Sequence, residues 1–255
     1  MNPLFLIKSK IAFSLIVFLT FCNGIIDKNS KIHQIIYVTY NNDPNSEARY
    51  SYNSSGDLIR QSMAGDTILY NYSSNKISKF HVNRKLNWLS RIDYTTDSTG
   101  RILHSLTFDE NNKQISQFTF AYNKDGFLTE TNEEIFSSGK HYINKFFYRE
   151  GNLIEIKSYN DLGKLGSRYV YDYYSGKFNE LNLFIQQFSD DIFPNERLGK
   201  QNKNLIKLSA NISKEGDTLS LVKYQYASEG NKNLLIQTQT DVLNEFTTVI
   251  RYHFK

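Results

Sequence analysis

A short phrase recurs along the chain: an aromatic residue, Asn or Asp, two or three polar residues, Gly or Asn, and an aliphatic residue. The clearest copies run from Tyr52 to Leu58 and from Tyr122 to Leu128. Looser copies begin at Tyr72, Tyr94, Phe108, Tyr148, Tyr171 and Tyr226. Gly and Asn adopt positive φ at low cost, and Asn or Asp side chains bond the nearby backbone, as tight hairpin turns require. The repetition therefore predicts one antiparallel hairpin after another.

The composition agrees with a β-strand protein. Eighteen Tyr and eighteen Phe stand against three Pro, and aromatic residues are enriched in strands. Consecutive strands usually pair with their neighbours. We therefore expect an all-β fold, an antiparallel meander of repeated hairpins in one large twisted or curved sheet, with a barrel-like closure left open.

One segment breaks the hairpin pattern. Apolar residues recur at three- and four-residue steps from Phe178 through Leu181, Phe184 and Phe188, and Pro194 follows them. This spacing is typical of an amphipathic helix. The sequence thus predicts one short helical interruption near residues 178–193.

Residues 1–24 differ from the rest of the chain. Lys8 and Lys10 precede the apolar run 11–19, and no acidic residue occurs before Asp27. A basic start, a short apolar stretch and a polar exit are typical of a secretory signal peptide, and the run is shorter than the roughly 20 residues of a membrane-spanning helix. We expect a signal peptide over 1–24 and a single β-repeat domain over 25–255.

Cys22, the only cysteine, lies where the apolar run ends. Two processing schemes account for it. In the first, residues 19–22 resemble a bacterial lipobox and a lipid is attached to Cys22, although Phe21 departs from the small residue that the lipobox requires there. In the second, Cys22 and Gly24 occupy the small-residue positions of an ordinary cleavage site and the mature chain begins near Ile25. A retained membrane anchor is the third reading.

The charge of the exported part excludes one class of partner. Removing Lys8 and Lys10 leaves 28 basic and 26 acidic residues, with the signs interspersed. A nucleic-acid-binding surface needs a concentrated basic stripe, so no nucleic-acid partner is expected. The expected location is exported: periplasm, outer-membrane-associated or cell surface, with membrane attachment only through a lipid on Cys22. A mature chain with at most one cysteine forms no internal disulfide.

No catalytic, cofactor-binding or metal-binding residue is predicted, and no cofactor. The five histidines are scattered and lack ligand spacing. The adjacent acidic pairs Glu133-Glu134 and Asp190-Asp191 would point to opposite faces of a sheet, which does not suit the two carboxylates of a glycosidase.

Aromatic side chains are the one hint of a binding surface. Tyr70, Tyr72, Trp88 and Tyr94 lie on neighbouring predicted strands, and exposed aromatics stack on sugars or anchor protein partners. The same residues could instead pack across strands inside the sheet, which we regard as the commoner arrangement. A glycan or an envelope protein is the expected kind of partner, and its identity is unknown.

The last strand supports an alternative architecture. Phe246, Thr248, Ile250, Tyr252 and Phe254 alternate up to the penultimate residue, which is similar to the terminal strand of small outer-membrane barrels, whose outward faces are apolar. Other predicted strands lack an equally apolar face, and Lys255 follows the final Phe. We therefore favour a sheet that is not embedded in a membrane and keep the small outer-membrane barrel as the alternative.

The repeated phrase resembles the tyrosine–aspartate repeats of bacterial RHS-type surface and toxin-shell proteins, on Tyr52 to Leu58, Tyr94 to Leu103 and Tyr122 to Leu128. The whole layout is similar to an uncharacterised family of exported proteins from Bacteroidetes-type bacteria. That layout includes a break after a Tyr-Asp-Tyr stretch, here 171–173, and closing hairpins with Tyr-x-Tyr, here 224–226. The resemblance implies a porin-like or repeat β fold and supplies no activity and no catalytic residue.

Taken together, these observations predict an exported, envelope-associated β-repeat protein that serves as a non-enzymatic scaffold or binding module. A small outer-membrane barrel is the alternative, and a carbohydrate-active enzyme is a distant third.

Overall fold

The computed structural model describes residues 35–41, 43–63, 65–83, 85, 87–179, 195–229 and 234–254. These residues form sixteen strands: β1 Ile35–Tyr40, β2 Asp43–Tyr52, β3 Leu58–Met63, β4 Asp66–Ser73, β5 Lys76–Asn83, β6 Trp88–Thr96, β7 Ile102–Asp109, β8 Gln114–Tyr122, β9 Leu128–Ile135, β10 Lys140–Arg149, β11 Asn152–Tyr159, β12 Leu165–Phe178, β13 Asn204–Ser213, β14 Thr218–Glu229, β15 Leu234–Asp241 and β16 Phe246–Phe254. The helical content of these residues is one short 3₁₀ turn, Asn195–Leu198.

The predicted all-β antiparallel meander is confirmed. Every strand pairs antiparallel with its neighbours in sequence, from β1–β2 through β15–β16. In addition β1 pairs with β16, with Thr39 opposite Arg251 and Tyr40 opposite Ile250. This last pairing closes the sheet on itself, so the structure answers the question that the sequence left open.

The clearest copies of the repeated phrase build one kind of turn, whereas the copy that begins at Tyr171 lies within the long strand β12. The side chain of the residue that opens the turn accepts backbone N–H bonds from the second and fourth residues after it: Asn53 Oδ1 accepts from Ser55 and Asp57, at 3.0 and 2.8 Å. The same pair of bonds recurs at Asn83, Asp97, Asp109, Asn123, Asn160 and, through its hydroxyl, Ser213. Gly56 illustrates why glycine or asparagine comes fourth, because it has a φ of 87°.

The predicted helical interruption near 178–193 lies mostly outside the described residues. Its first residue, Phe178, does not begin a helix: it ends the long strand β12 and lies opposite Asn204 of β13. Strand pairing with β13 satisfies its backbone there, which the three- and four-residue spacing could not reveal. In the described ranges no helix is long and apolar enough to cross a membrane.

The core lies inside the closed sheet. Alternate residues of each strand point inward, as the period of two requires. One apolar cluster joins buried residues of β2–β7 with β16, and a second joins buried residues of β9–β14. Polar side chains fill part of the interior in bonded pairs: Tyr252 donates to Gln237 at 2.6 Å, and Ser209 lies 3.0 Å from the Tyr224 hydroxyl.

Two residues of the β16 alternation, Ile250 and Tyr252, face inward. Ile250 and Tyr252 are each 1% exposed and belong to the core cluster that also contains Ala48 of β2. In an outer-membrane barrel this alternation would face lipid. The alternation along β16 therefore reflects burial inside the sheet and does not indicate an outward apolar face.

Residues 195–204, here called the strap, lie across one end of the sheet, the strap end, where the even-numbered strands finish. The Lys200 amide donates to Gly126 O at 2.8 Å, and the Lys203 amide donates to Gly151 O at 3.0 Å. The Arg197 guanidinium donates to Gly100 O at 3.2 Å. The strap thus bonds to three successive turns of this end.

Two asparagines fix the C-terminal half of the strap. The buried Asn202 accepts from the Leu153 amide at 2.8 Å. Asn152 and Asn204 bond to each other twice, side chain to side chain at 3.0 Å and backbone amide to side chain at 2.9 Å. The opposite end, the far end, carries the turns that follow the odd-numbered strands.

Tyrosines near the ends of even-numbered strands bond back to the preceding strand at the strap end. The hydroxyl of Tyr72 donates to Leu58 O at 2.7 Å, that of Tyr122 to Ile102 O at 2.7 Å, and that of Tyr173 to Leu153 O at 2.6 Å. Burial raises the pKa of Tyr122 and of Tyr173 above the ordinary value. Both hydroxyls therefore stay protonated donors at ordinary pH.

We expect Tyr122→Phe to lower the free energy of unfolding by about 1 to 2 kcal/mol, because it removes the donor to Ile102 O and to Arg197 O. Tyr142→Phe is the matched control, since Tyr142 is also half-buried and has no hydrogen-bond partner among the described residues. Urea unfolding of both variants measures the difference. Equal losses for the two would show that the hydroxyl contacts do not stabilise the strap end.

Candidate functional site

The structure separates the four aromatic residues that the sequence grouped. Tyr70 and Tyr94 are 3% and 2% exposed and belong to the inner core cluster. Tyr72 is half-buried, packs against the same cluster and donates its hydroxyl to Leu58 O. Trp88 lies on the opposite, outer face. The four do not form one platform, and ligand binding by any of them stays a prediction.

A bulge explains why Trp88 parts from Tyr94. Trp88 lies opposite Val82 and Ser90 lies opposite His81, so Leu89 has no partner on β5. Because side chains alternate along a strand, one extra residue moves Trp88 to the face opposite that predicted by counting. Nothing in the Trp88-Leu89-Ser90 sequence marks this bulge.

The outer face of β6 and β7 carries a cluster that sequence reasoning missed, formed by Trp88, Arg91, Asp93 and Phe108. The Arg91 guanidinium carbon lies 4.3 Å from the ring centroid of Phe108 and 5.8 Å from that of Trp88. Arg91 and Phe108 are also cross-strand partners. Arginine over aromatic rings combines a cation–π contact with packing.

Asp93 supplies the acidic part of this cluster. Its carboxylate accepts from the Ser78 hydroxyl at 2.7 Å and lies 3.3 Å from Arg91 Nε and 3.4 Å from Lys76 Nζ. The Trp88 indole N–H is buried and has no hydrogen-bond partner among the described residues. Aromatic rings, a guanidinium and a carboxylate thus lie together on one outward surface.

The Glu133-Glu134 pair behaves as the alternation predicts. Glu133 lies opposite the inward Phe118, while Glu134 lies opposite Gln117 and accepts from its side-chain amide at 2.7 Å. The two carboxylates therefore face different sides of the sheet. Asp190 and Asp191 lie outside the described residues. Within the described ranges no three His, Cys, Asp or Glu side chains come together as metal ligands.

No family model matches this chain, and no curated protein matches it. Among solved structures it is similar to a porin-like protein from Bacteroides uniformis, at a TM-score of 0.59 and 16% identity, over 87% of this chain and 96% of that chain. It also matches TcdB2-TccC3 without its hypervariable C-terminal region, at a TM-score of 0.32 and 12% identity, over 76% of this chain and 12% of that chain.

The first of these similarities shows the fold alone, and the second is too weak to support an argument. The predicted porin-like β fold is therefore confirmed at the level of architecture. Kinship with tyrosine–aspartate repeat proteins stays a prediction. So do the signal peptide over 1–24 and lipidation of Cys22, which lie outside the described residues.

One turn of the strap end has an unusual electrostatic environment. Asp97 accepts from the Thr99 hydroxyl at 2.7 Å, the Thr99 amide at 2.8 Å and the Arg101 amide at 3.0 Å, and its second oxygen accepts from Arg101 Nε at 2.8 Å. Burial raises the pKa of this carboxyl, but the hydrogen bonds from Thr99 and Arg101 lower it by more, to about 2.

Because the pKa of Asp97 is lower in the folded chain than in the unfolded chain, the carboxylate stabilises the fold above pH 4, and this contribution is lost as the pH falls towards 2. We expect the drop in unfolding free energy on acidification to be smaller by roughly 1 to 2 kcal/mol in Asp97→Asn than in the unchanged chain. Asparagine suits this position, since Asn53 and Asn123 open turns of the same kind and accept the same backbone N–H bonds.

The measurement is the free energy of unfolding at pH 5 and pH 2. Arg101→Gln, which keeps the carboxylate but removes the guanidinium, should remove only part of the difference. If the unfolding free energy of Asp97→Asn falls between pH 5 and pH 2 as much as that of the unchanged chain, Asp97 is not the source of the acid-induced loss.

Proposed function

We propose that this chain is an exported, envelope-associated protein that acts as a non-enzymatic binding or scaffold module. The observation that supports this most is the outward cluster of Trp88, Arg91, Asp93 and Phe108. Rings next to a guanidinium and a carboxylate suit ligands that offer both a flat apolar face and hydroxyl groups, as glycans do. Trp and Arg are also the commonest anchors of protein partners.

The outer face of the sheet favours contact with water over contact with lipid. Outward positions within the strands carry charged side chains, among them Arg91, Lys145, Lys157, Arg168 and Lys223. On the lipid face of a membrane barrel, an Arg or Lys near the bilayer midplane costs about 2–4 kcal/mol. Several such residues would make insertion unfavourable, so we place the runner-up, a small outer-membrane barrel, behind the binding module.

Ion pairs on the same face support this preference. Glu155 accepts from Arg168 Nε at 2.7 Å and lies 3.5 Å from Lys157 Nζ. Asp172 and Lys207 form an exposed pair at 3.3 Å. Exposed pairs of this kind are ordinary on a surface that meets water.

We infer the envelope location from a sequence pattern and from a similarity of fold. The basic start and apolar run of residues 1–24 are typical of an export signal, and the fold is similar to that of a porin-like protein from Bacteroides uniformis. Tethering through a lipid on Cys22 fits an outer face that itself meets water, because the anchor and not the sheet would then hold the chain at the membrane.

The test uses the processed Cys22→Ser chain, which cannot be lipidated. We expect it to enter the aqueous phase in detergent phase partitioning and to bind components of a glycan and protein-ligand array, with Trp88→Ala weakening that binding at least tenfold. Phe147→Ala is the matched control, because Phe147 is an exposed aromatic on another strand. Partitioning into detergent would favour the outer-membrane barrel instead.

If the chain binds no glycan and no protein ligand on the array, only the scaffold role remains. Binding that Trp88→Ala leaves unchanged would remove the proposed surface while keeping the class of protein.

A further inference from the structure

Exposed apolar side chains concentrate on one half of the far end. Six of the ten exposed large apolar side chains in the described part of the chain lie on the four consecutive far-end hairpins β9–β10, β11–β12, β13–β14 and β15–β16. They are Phe136, Leu162, Leu219, Val242, Leu243 and Phe246, with exposed fractions from 37% to 72%. We call these four hairpin tips the apolar rim.

The other half of the far end differs. Its hairpin tips carry Asn41, Gly65, Lys85, Asn87 and the stretch 110–112, and none of their described residues is an exposed large apolar one. Scattered exposed apolar residues are ordinary on a monomer, whereas a concentrated group marks a contact surface. Among the side chains that the structure describes, the exposed apolar ones of the far end are therefore grouped on one half, as on a contact surface.

The apolar rim is continuous enough to be covered by one partner. Neighbouring tips are separated by two strand spacings, about 10 Å, so the four tips form an arc of about 30 Å.

The charges of the rim change steadily along the arc. The β9–β10 tip has Lys140 and no acidic residue, and the β11–β12 tip has Asp161 and Lys164. The β13–β14 tip has Lys214, Glu215 and Asp217, and the β15–β16 tip has Asp241 and Glu245. The tips therefore carry net charges of +1, 0, −1 and −2 in order.

We propose that the apolar rim binds the rim of a second copy of this chain about a two-fold axis. In a two-fold interface the same patch occurs on both partners in reversed order. With the axis between the second and third tips, the first tip meets the fourth and the second meets the third. Lys140 of one copy then faces Glu245 of the other, and apolar residues meet apolar residues along the whole arc.

The acidic excess of the rim argues against the main alternative, a lipid surface. Exposed apolar tips that enter a membrane interface are favoured by basic neighbours, which anionic lipid attracts. The rim instead carries a net negative charge. The proposal goes beyond the proposed function and uses a different surface from the Trp88 cluster.

Sedimentation velocity of the processed Cys22→Ser chain over a concentration series tests the dimer. We expect a reversible monomer–dimer equilibrium whose dissociation constant rises at least tenfold in Leu243→Ser and in Phe246→Ser. Leu103→Ser is the control, because Leu103 has a similar exposure but lies on β7, away from the rim. A monomer at every concentration, or a dimer that the rim variants leave unchanged, overturns the proposal.

Charge reversal tests the two-fold arrangement itself. Lys140→Glu alone and Glu245→Lys alone should each weaken the dimer, and the double variant should restore at least half of the lost affinity in logarithmic terms. Circular dichroism melts verify that each variant folds. A double variant that is weaker than both single variants overturns the arrangement, and so does a monomeric chain that pellets with phosphatidylglycerol vesicles, which would assign the rim to lipid. Neither result depends on ligand binding at Trp88.

Discussion

The pairing of β1 with β16 is the constraint on which the rest of the structure depends. An open meander would leave two edge strands with unpaired backbone N–H and C=O groups, ready to pair with other chains. Closure removes both edges and gives every strand an inside and an outside. It also brings Ala48 of β2 and Tyr252 of β16 into one apolar cluster across the seam. Without that seam, the inward faces of the first and last strands would lie open to water.

The two ends of the closed sheet differ in the contacts that their turns make. At the strap end, residues 195–204 bond to the turns at Gly100, Gly126 and Gly151, and tyrosine hydroxyls bond to the preceding strands. These hydrogen bonds tie the turns to the strap and to the neighbouring strands. At the far end several turns have the same backbone chemistry, no segment of the described ranges lies across them as the strap does, and four of the tips carry the apolar rim. The two proposed binding surfaces accordingly use residues that vary between copies of the phrase, on the outer face and at the far end.

The sequence predicted the meander and its turns well, because both follow from local chemistry. Asn53 and Asn123 cap their own turns as their side chains dictate. What it could not predict depends on contacts distant in sequence or on single-residue irregularities. The seam joins strands more than 200 residues apart, the bulge at Leu89 turns Trp88 outward, and the strap reaches turns far earlier in the chain. The burial of β16's alternating face follows from closure, so it too lay beyond local reasoning.

The most direct test of this account is a cross-link at the seam. In the Cys22→Ser chain, Thr39→Cys with Arg251→Cys places two thiols at directly opposed positions of β1 and β16, within the cross-strand reach of a disulfide. Thr240→Cys with Thr247→Cys is the positive control, since those hydroxyls lie 3.3 Å apart within one hairpin. Under mild oxidation, mass spectrometry should find an intramolecular disulfide in both variants of the monomer. If the disulfide forms in the hairpin control but the two seam thiols stay free, the closed sheet is contradicted.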